Sequence, residues 1–169
     1  MQLDIKDRFM IANQLKILEK LYPEEASYYS EHRTAVEKGF SLHYSSLVEH
    51  FYEEMTEEEC REVLEILNMY RLITFSYDRI ENPKGIDIRW LKFKGFDENN
   101  EVKQFSYVQY IICELGRFDE FRDGDNYQSF NSHTPTLEQY RRMLDYWNSL
   151  DDKVNLTTDQ LIELLEVEV

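Results

Sequence analysis

Apolar residues recur along most of this chain at the three- and four-residue spacing of helices that bury one stripe and leave the rest in water. Ile11, Leu15, Leu18 and Tyr22 share a face, with Lys16, Glu19 and Lys20 outside it, which predicts a first helix over about residues 4–22. Pro23 suits the opening turn of a second, because the N–H it lacks would have had no partner there. Glu24 and Glu25 complement that helix's positive dipole end. Gly39 is placed to end it in the left-handed conformation. A third helix is expected from Leu42 to about Met55. Thr56-Glu57-Glu58-Glu59 then reads as a capping box, Thr56 and Glu59 each satisfying the other's free backbone donor. The fourth helix that follows has Val63, Leu64, Leu67, Tyr70 and Leu72 as its stripe, with Phe75 beyond. Residues 72–77 would also suit a short strand.

The pattern breaks at Asn82-Pro83-Lys84-Gly85, after which Ile86, Ile88 and Trp90 alternate as in an extended segment. A small β-hairpin or an extended arm over residues 83–97 is expected here, ending at Asp97-Glu98-Asn99-Asn100. Helical spacing resumes with Val102, Phe105, Val108, Ile112 and Leu115, closed by Gly116. Residues 118–133 are polar and aromatic and carry Asp119, Arg122, Asp123, Gly124, Asp125, Asn126 and Asn131; a loop of that length in a compact domain is often functional. Thr134-Pro135 is expected to open a sixth helix as cap and first residue, with Leu137, Tyr140, Leu144 and Trp147 inside. A last helix starts at the capping box formed by Thr157 and Gln160. The whole predicts an all-α bundle of about seven helices in a single domain over residues 1–169, with no internal repeat or flexible linker.

Only 5 Gly and 3 Pro agree with helices rather than a turn-rich β fold. Charge changes the picture more. With 19 basic and 34 acidic residues the net charge is −15, which repels a phosphate backbone and an anionic membrane surface alike, so neither direct nucleic-acid binding nor membrane association is expected. The N-terminal residues go straight into charged helical pattern without the apolar stretch of a signal peptide, and no apolar run approaches a bilayer span, so a cytoplasmic protein is expected. Cys60 and Cys113, far apart in sequence, read as reduced thiols. Twelve Tyr and ten Phe supply amphipathic area suited to self-association, and a homo-oligomer is expected.

Candidate chemistry is sparse. Neither a phosphate-cradling glycine loop, nor a nucleophile elbow, nor a His-Glu-x-x-His zinc motif occurs. His43 and His50 share a helix face but stand about 10 Å apart along the axis, too far for one metal. No metal and no cofactor are expected, and no catalytic residue can be assigned. Cys60 sits in a first helical turn, where Glu57, Glu58 and Glu59 oppose a thiolate. The best constellation is Arg117 at a helix end, then Asn131, His133 and Arg141 around the start of the next helix, where backbone donors and guanidinium groups suit a small anion. The competing account is that Arg117, Arg122 and the arginines of the next helix pair with Asp119, Asp123 and Asp125 to fix the loop.

Glu37-Lys38-Gly39-Phe40, Glu58-Glu59-Cys60-Arg61, Met69-Tyr70, Phe93-Lys94-Gly95-Phe96-Asp97, Gly116-Arg117-Phe118, Phe130-Asn131-Ser132-His133-Thr134-Pro135 and Tyr140-Arg141-Arg142-Met143-Leu144, in this order along nearly the whole chain, resemble the YfbU family. The resemblance implies a bacterial, cytoplasmic, all-helical domain of unassigned activity. Such domains are sometimes joined to a helix-turn-helix segment, from which a ligand-sensing role has been suggested, and the resemblance assigns no catalytic residues. No such segment is expected before the first helix here, so a regulatory role would be expected to run through a partner protein. The expected function is therefore a non-enzymatic module binding a small anionic ligand or a protein partner through Arg117, Asn131, His133 and Arg141. The alternative is an enzyme with its site within residues 117–142, His133 serving as acid/base oriented by Asp119 or Asp125. A third reading has the acidic surface occupying a basic site on another protein.

Overall fold

The computed structural model describes residues 1–81, 83–122 and 130–166, and their contacts form two compact units, Met1–Glu54 and Met55–Val169. In the first unit, α1 (Ile5–Leu21) opens with a capping box. Asp7 N–H donates to Asp4 at 2.8 Å and Asp4 N–H to the Asp7 carboxylate at 3.1 Å. The turn Pro23–Glu25 leads into α2 (Ala26–Lys38), which stops at Gly39 with φ 76°, the left-handed cap that the sequence predicts. Arg8 of α1 then donates to the end carbonyls of Val36 (2.7 Å) and Glu37 (2.8 Å), so one guanidinium both caps α2 and ties the two helices together. The core between them is small, built on Ala12, Leu15, Val36 and Tyr44. Tyr22, expected inside, is 46% exposed.

The helix expected over residues 42–55 does not form. Ser41–Val48 is a 3-10 run in which only Tyr44 is buried, while Leu42, Phe51 and Tyr52 are at least 78% exposed. The Ser46 hydroxyl donates to the His43 carbonyl at 2.7 Å, a local bond that competes with the helical one. Thr56 must also be extended (ψ 159°) to cap the next helix, and that ends any continuous path.

The second unit is organised by α3 (Glu57–Arg79), which holds the predicted Thr56–Glu59 box and remains helical through residues 72–77. The Thr56 N–H keeps the Glu59 carboxyl below its usual range. Val63, Ile66, Leu67, Tyr70 and Ile73 line its buried face. Next, α4 (Val102–Gln109) passes into a π-helical turn, Tyr110–Glu114, and Gly116 turns the chain away at φ 62°. Helices α5 (Leu137–Ser149) and α6 (Thr158–Glu166) complete the set, α6 behind the expected box of Thr157 and Gln160. Six α-helices and one π-turn among the described residues make an all-α protein.

Between α3 and α4 the described residues form an arm and not a hairpin. Ile88–Leu91 is a 3-10 turn capped by Asp87, residues 92–95 extend, and Phe96 makes a single parallel β-bridge to Asn131 through Phe96 N–H to Phe130 O (2.9 Å) and Ser132 N–H to Phe96 O (3.1 Å). The Phe93 ring lies within 6.2 Å, centroid to centroid, of the rings of Tyr70, Phe96, Phe121, Phe130 and Tyr140, so this arm carries the hub of the aromatic core.

The start of α5 also differs from expectation. Thr134-Pro135 lies outside the helix; Thr136 is the N-cap, and its hydroxyl makes no capping bond within the helix. The Glu101 carboxylate takes that place from another element. One oxygen accepts from Thr136 N–H (2.8 Å) and Leu137 N–H (2.7 Å), the other from Asp97 N–H (2.9 Å).

Helices α5 and α6 are joined by Tyr146, whose hydroxyl donates to Glu163. Burial first, and then that bond, push the Tyr146 hydroxyl up to about 12, while in the first unit the bond to Glu25 raises Tyr29 likewise to about 12. The folded state therefore holds these two protons more tightly than the unfolded chain. The stability they confer is complete below the ordinary value of 10.0 and is lost as pH rises through about 12. In an alkaline spectrophotometric titration Tyr29 and Tyr146 should ionise above the ordinary tyrosine range, and Glu163→Gln should bring Tyr146 back toward it.

Candidate functional site

The φ angles of the described residues single out one region. The non-glycine residues with positive φ are Phe118 (58°), Phe130 (50°) and His133 (57°), all on the segment between the π-turn and α5. Bulky side chains are rarely held there unless their surroundings over-determine the backbone. Phe118 is stacked on Phe121 and covered by the Arg71 guanidinium 4.1 Å from its centroid; Phe130 is fixed by the bridge to Phe96. The acidic residues Asp123, Asp125 and their neighbours Gly124 and Asn126 lie outside the described residues.

The four candidate side chains stand in three settings. Asn131 and His133 share one turn, Asn131 Oδ1 accepting from His133 N–H at 2.9 Å and from Glu98 N–H at 3.4 Å, with the His133 side chain exposed. Arg117 is exposed just past the π-turn, its guanidinium 5.7 Å from the Phe118 ring centroid. Arg141 lies on α5 and is clamped by two carboxylates, bidentate to Glu62 of α3 at 2.7 and 3.0 Å and to Glu138 at 2.5 Å. Those bonds raise its pKa further and make it a strut between α3 and α5. Asp119, one of the expected orienters of His133, pairs instead with Arg122 at 3.4 Å, and Arg122 also donates to the Ile112 carbonyl. Among the described residues no three His, Cys, Asp or Glu side chains stand close enough to hold a metal ion, and no helix is long and apolar enough to cross a membrane.

The cavity that reaches Asn131 is cationic. A depression of about 430 Å³ is lined by Arg89, Lys92, Phe93 and Lys94 on the arm and by Phe130, Asn131 and Ser132 on the turn. Because residues 92–95 are extended, successive side chains alternate, Phe93 buried and Lys92 and Lys94 exposed, while Leu91 at the end of the 3-10 turn is buried too. Lys94 holds its ammonium 5.8 Å from the Trp90 ring. Arg89 is oriented by a bidentate bond to Asp87, 2.6–3.1 Å, which holds the Asp87 carboxyl down at about 2.

These lysines were missed in favour of arginines nearer the polar loop, yet a signal was present. Residues 83–96 contain Lys84, Arg89, Lys92 and Lys94 against Asp87 alone, a local reversal of sign in a chain of net charge −15. Just past the arm, Asp97 keeps its turn by accepting from Asn99 N–H (2.7 Å) and Asn100 N–H (3.2 Å), bonds that hold its carboxyl below the ordinary range.

An all-α protein whose second unit is organised on one long helix, with Phe130 at positive φ beside a basic arm, is the class that fold and site define. The family model of the YfbU domain matches residues 1–167, and the chain belongs to the YfbU family.

Proposed function

We propose that this protein is a non-enzymatic binding module that takes a small anionic ligand in the depression between residues 89–94 and 130–132. One observation carries the reading: Arg89, Lys92 and Lys94 surround a single cavity on a chain whose overall charge would repel anions. The three converge there beside Asn131 and Ser132, with Arg89 oriented by Asp87. The negative field of the remaining surface suppresses non-specific anion binding, so the local site acts by contact and not by long-range steering.

Trp90 reports on it through Lys94. Titrating inorganic phosphate and succinate should give a saturable change in tryptophan fluorescence that weakens as salt is added, and Lys94→Ala should weaken it about ten-fold. A flat response to both anions up to tens of millimolar would sink the reading.

A further inference from the structure

The first unit has more apolar surface than core. Its buried apolar residues are Ala12, Leu15, Ala35, Val36 and Tyr44, whereas most of the exposed large apolar side chains among the described residues also belong to it. Apolar area left open on this scale marks a surface that a partner covers.

Two patches carry the chemistry of that partner. One is the outer face of α1. Met10, Ile17 and Leu21, seven and four residues apart, run along the side of the helix opposite Ala12 and Leu15, with Phe9 beside them, all 47–68% exposed. Lys6, Lys16 and Lys20 are interleaved with them. No exposed residue of α1 is acidic: its two acids, Asp7 and Glu19, are half-buried, one in the capping box and the other against Arg33 at 3.1 Å. On a chain of net charge −15 this face is cationic. The other patch is the end of the 3-10 run and the residues after it. Val48, Phe51 and Tyr52 are 41%, 78% and 82% exposed, and the carboxylates of Glu49, Glu53 and Glu54 make the segment acidic.

Neither patch suits itself. Packing α1 on the α1 of another copy sets lysines beside lysines, and packing residues 48–54 on themselves sets carboxylates beside carboxylates. Against each other the charges are opposite, and both sides offer apolar side chains. We infer that two copies of this chain pair reciprocally, residues 48–54 of each lying across the outer face of α1 of the other, so that one twofold interface holds two identical contacts. The apolar side chains of the two patches, each used twice, suffice for an interface of roughly 1,200–2,000 Å². A carboxylate accepts from more than one donor, so the lysines add to whatever bonds these glutamates already make. The anion depression shares no residue with either patch, so pairing and anion binding stand or fall separately.

Sedimentation velocity of the full chain at micromolar concentration tests the pairing. The parent should be a dimer, and Phe9→Glu on α1 or Phe51→Glu in the segment should each weaken it at least ten-fold, because one substitution spoils both contacts. Mixing the two variants should restore a dimer, weaker than the parent's, since the mixed pair keeps one contact with both sides intact. Both residues are largely exposed, so helicity by circular dichroism should match the parent. Lys16→Glu, which leaves every apolar side chain in place, should weaken pairing as well. A parent that stays monomeric up to about 100 µM would overturn the proposal and leave the face to its own chain or to another protein. A mixture that stays monomeric would overturn it in favour of like-on-like pairing, and a dimer unmoved by both substitutions would put the interface elsewhere.

Discussion

Glu101→Ala should remove a large share of the stability of the unit Met55–Val169, on the order of 3–5 kcal/mol out of the roughly 5–15 kcal/mol typical of a domain. The carboxylate is 7% exposed and accepts from three backbone N–H groups, of Asp97, Thr136 and Leu137, with the Thr136 hydroxyl 3.3 Å away. Thr136 and Asp97 are each 3% exposed, so water cannot readily replace the lost acceptor, and each orphaned buried donor costs about 1–3 kcal/mol. Glu101→Gln should fall close to Ala, because an amide nitrogen would face a donor on one side or the other. Both tryptophans, Trp90 and Trp147, lie in this unit, so the urea midpoint followed by their fluorescence measures it directly. A loss below about 1 kcal/mol would mean that solvent satisfies the freed donors.

The same residue shows where the sequence stops being legible. Caps whose partners lie three residues apart could be read in advance: Thr56 with Glu59, Thr157 with Gln160, and Gly39 as a left-handed stop. The start of α5 could not, because its capping carboxylate comes from 35 residues upstream, and local rules pointed to Thr134-Pro135. The segment 42–55 failed for a related reason. Helical spacing of apolar residues predicts a helix only if a core receives the stripe, and Leu42, Phe51 and Tyr52 have none.

For the candidate site, the structure divides the four side chains that the sequence grouped among three settings. Asn131 and His133 do share a turn, and the loop they close holds the strained residues Phe118, Phe130 and His133. Arg141 looked available because its partner Glu62 is 79 residues away on α3; no spacing rule finds a bidentate pair across that distance. Lys92 and Lys94 are brought to Asn131 by one β-bridge, Phe96 to Asn131, which periodicity could only suggest as an extended arm.

That bridge depends on Gly95, and Gly95→Ala is expected to be the most damaging single-methyl change in the protein. A Cβ there would stand 1.8 Å from the Phe130 carbonyl oxygen and 2.3 Å from its carbon, both backbone atoms, with φ at 89°. Neither side can withdraw easily. The Gly95 carbonyl is held by the Thr136 hydroxyl (2.8 Å) and the Tyr140 hydroxyl (3.1 Å), and Phe130 O accepts from Phe96 N–H at 2.9 Å. The methyl must break the bridge, separating the arm from residues 130–132 and with it the two walls of the anion depression. A cost above about 4 kcal/mol is expected, in the range reserved for such clashes. Gly116 supplies the control, since its φ of 62° carries the left-handed penalty while nothing lies within 4 Å of its Cβ position. Gly116→Ala should cost only about 1–2 kcal/mol. Thermal melts of the two variants side by side separate the causes: a large gap assigns the cost to the close approach of arm and turn, whereas equal losses would reduce Gly95 to a matter of backbone conformation and leave the bridge without its structural role.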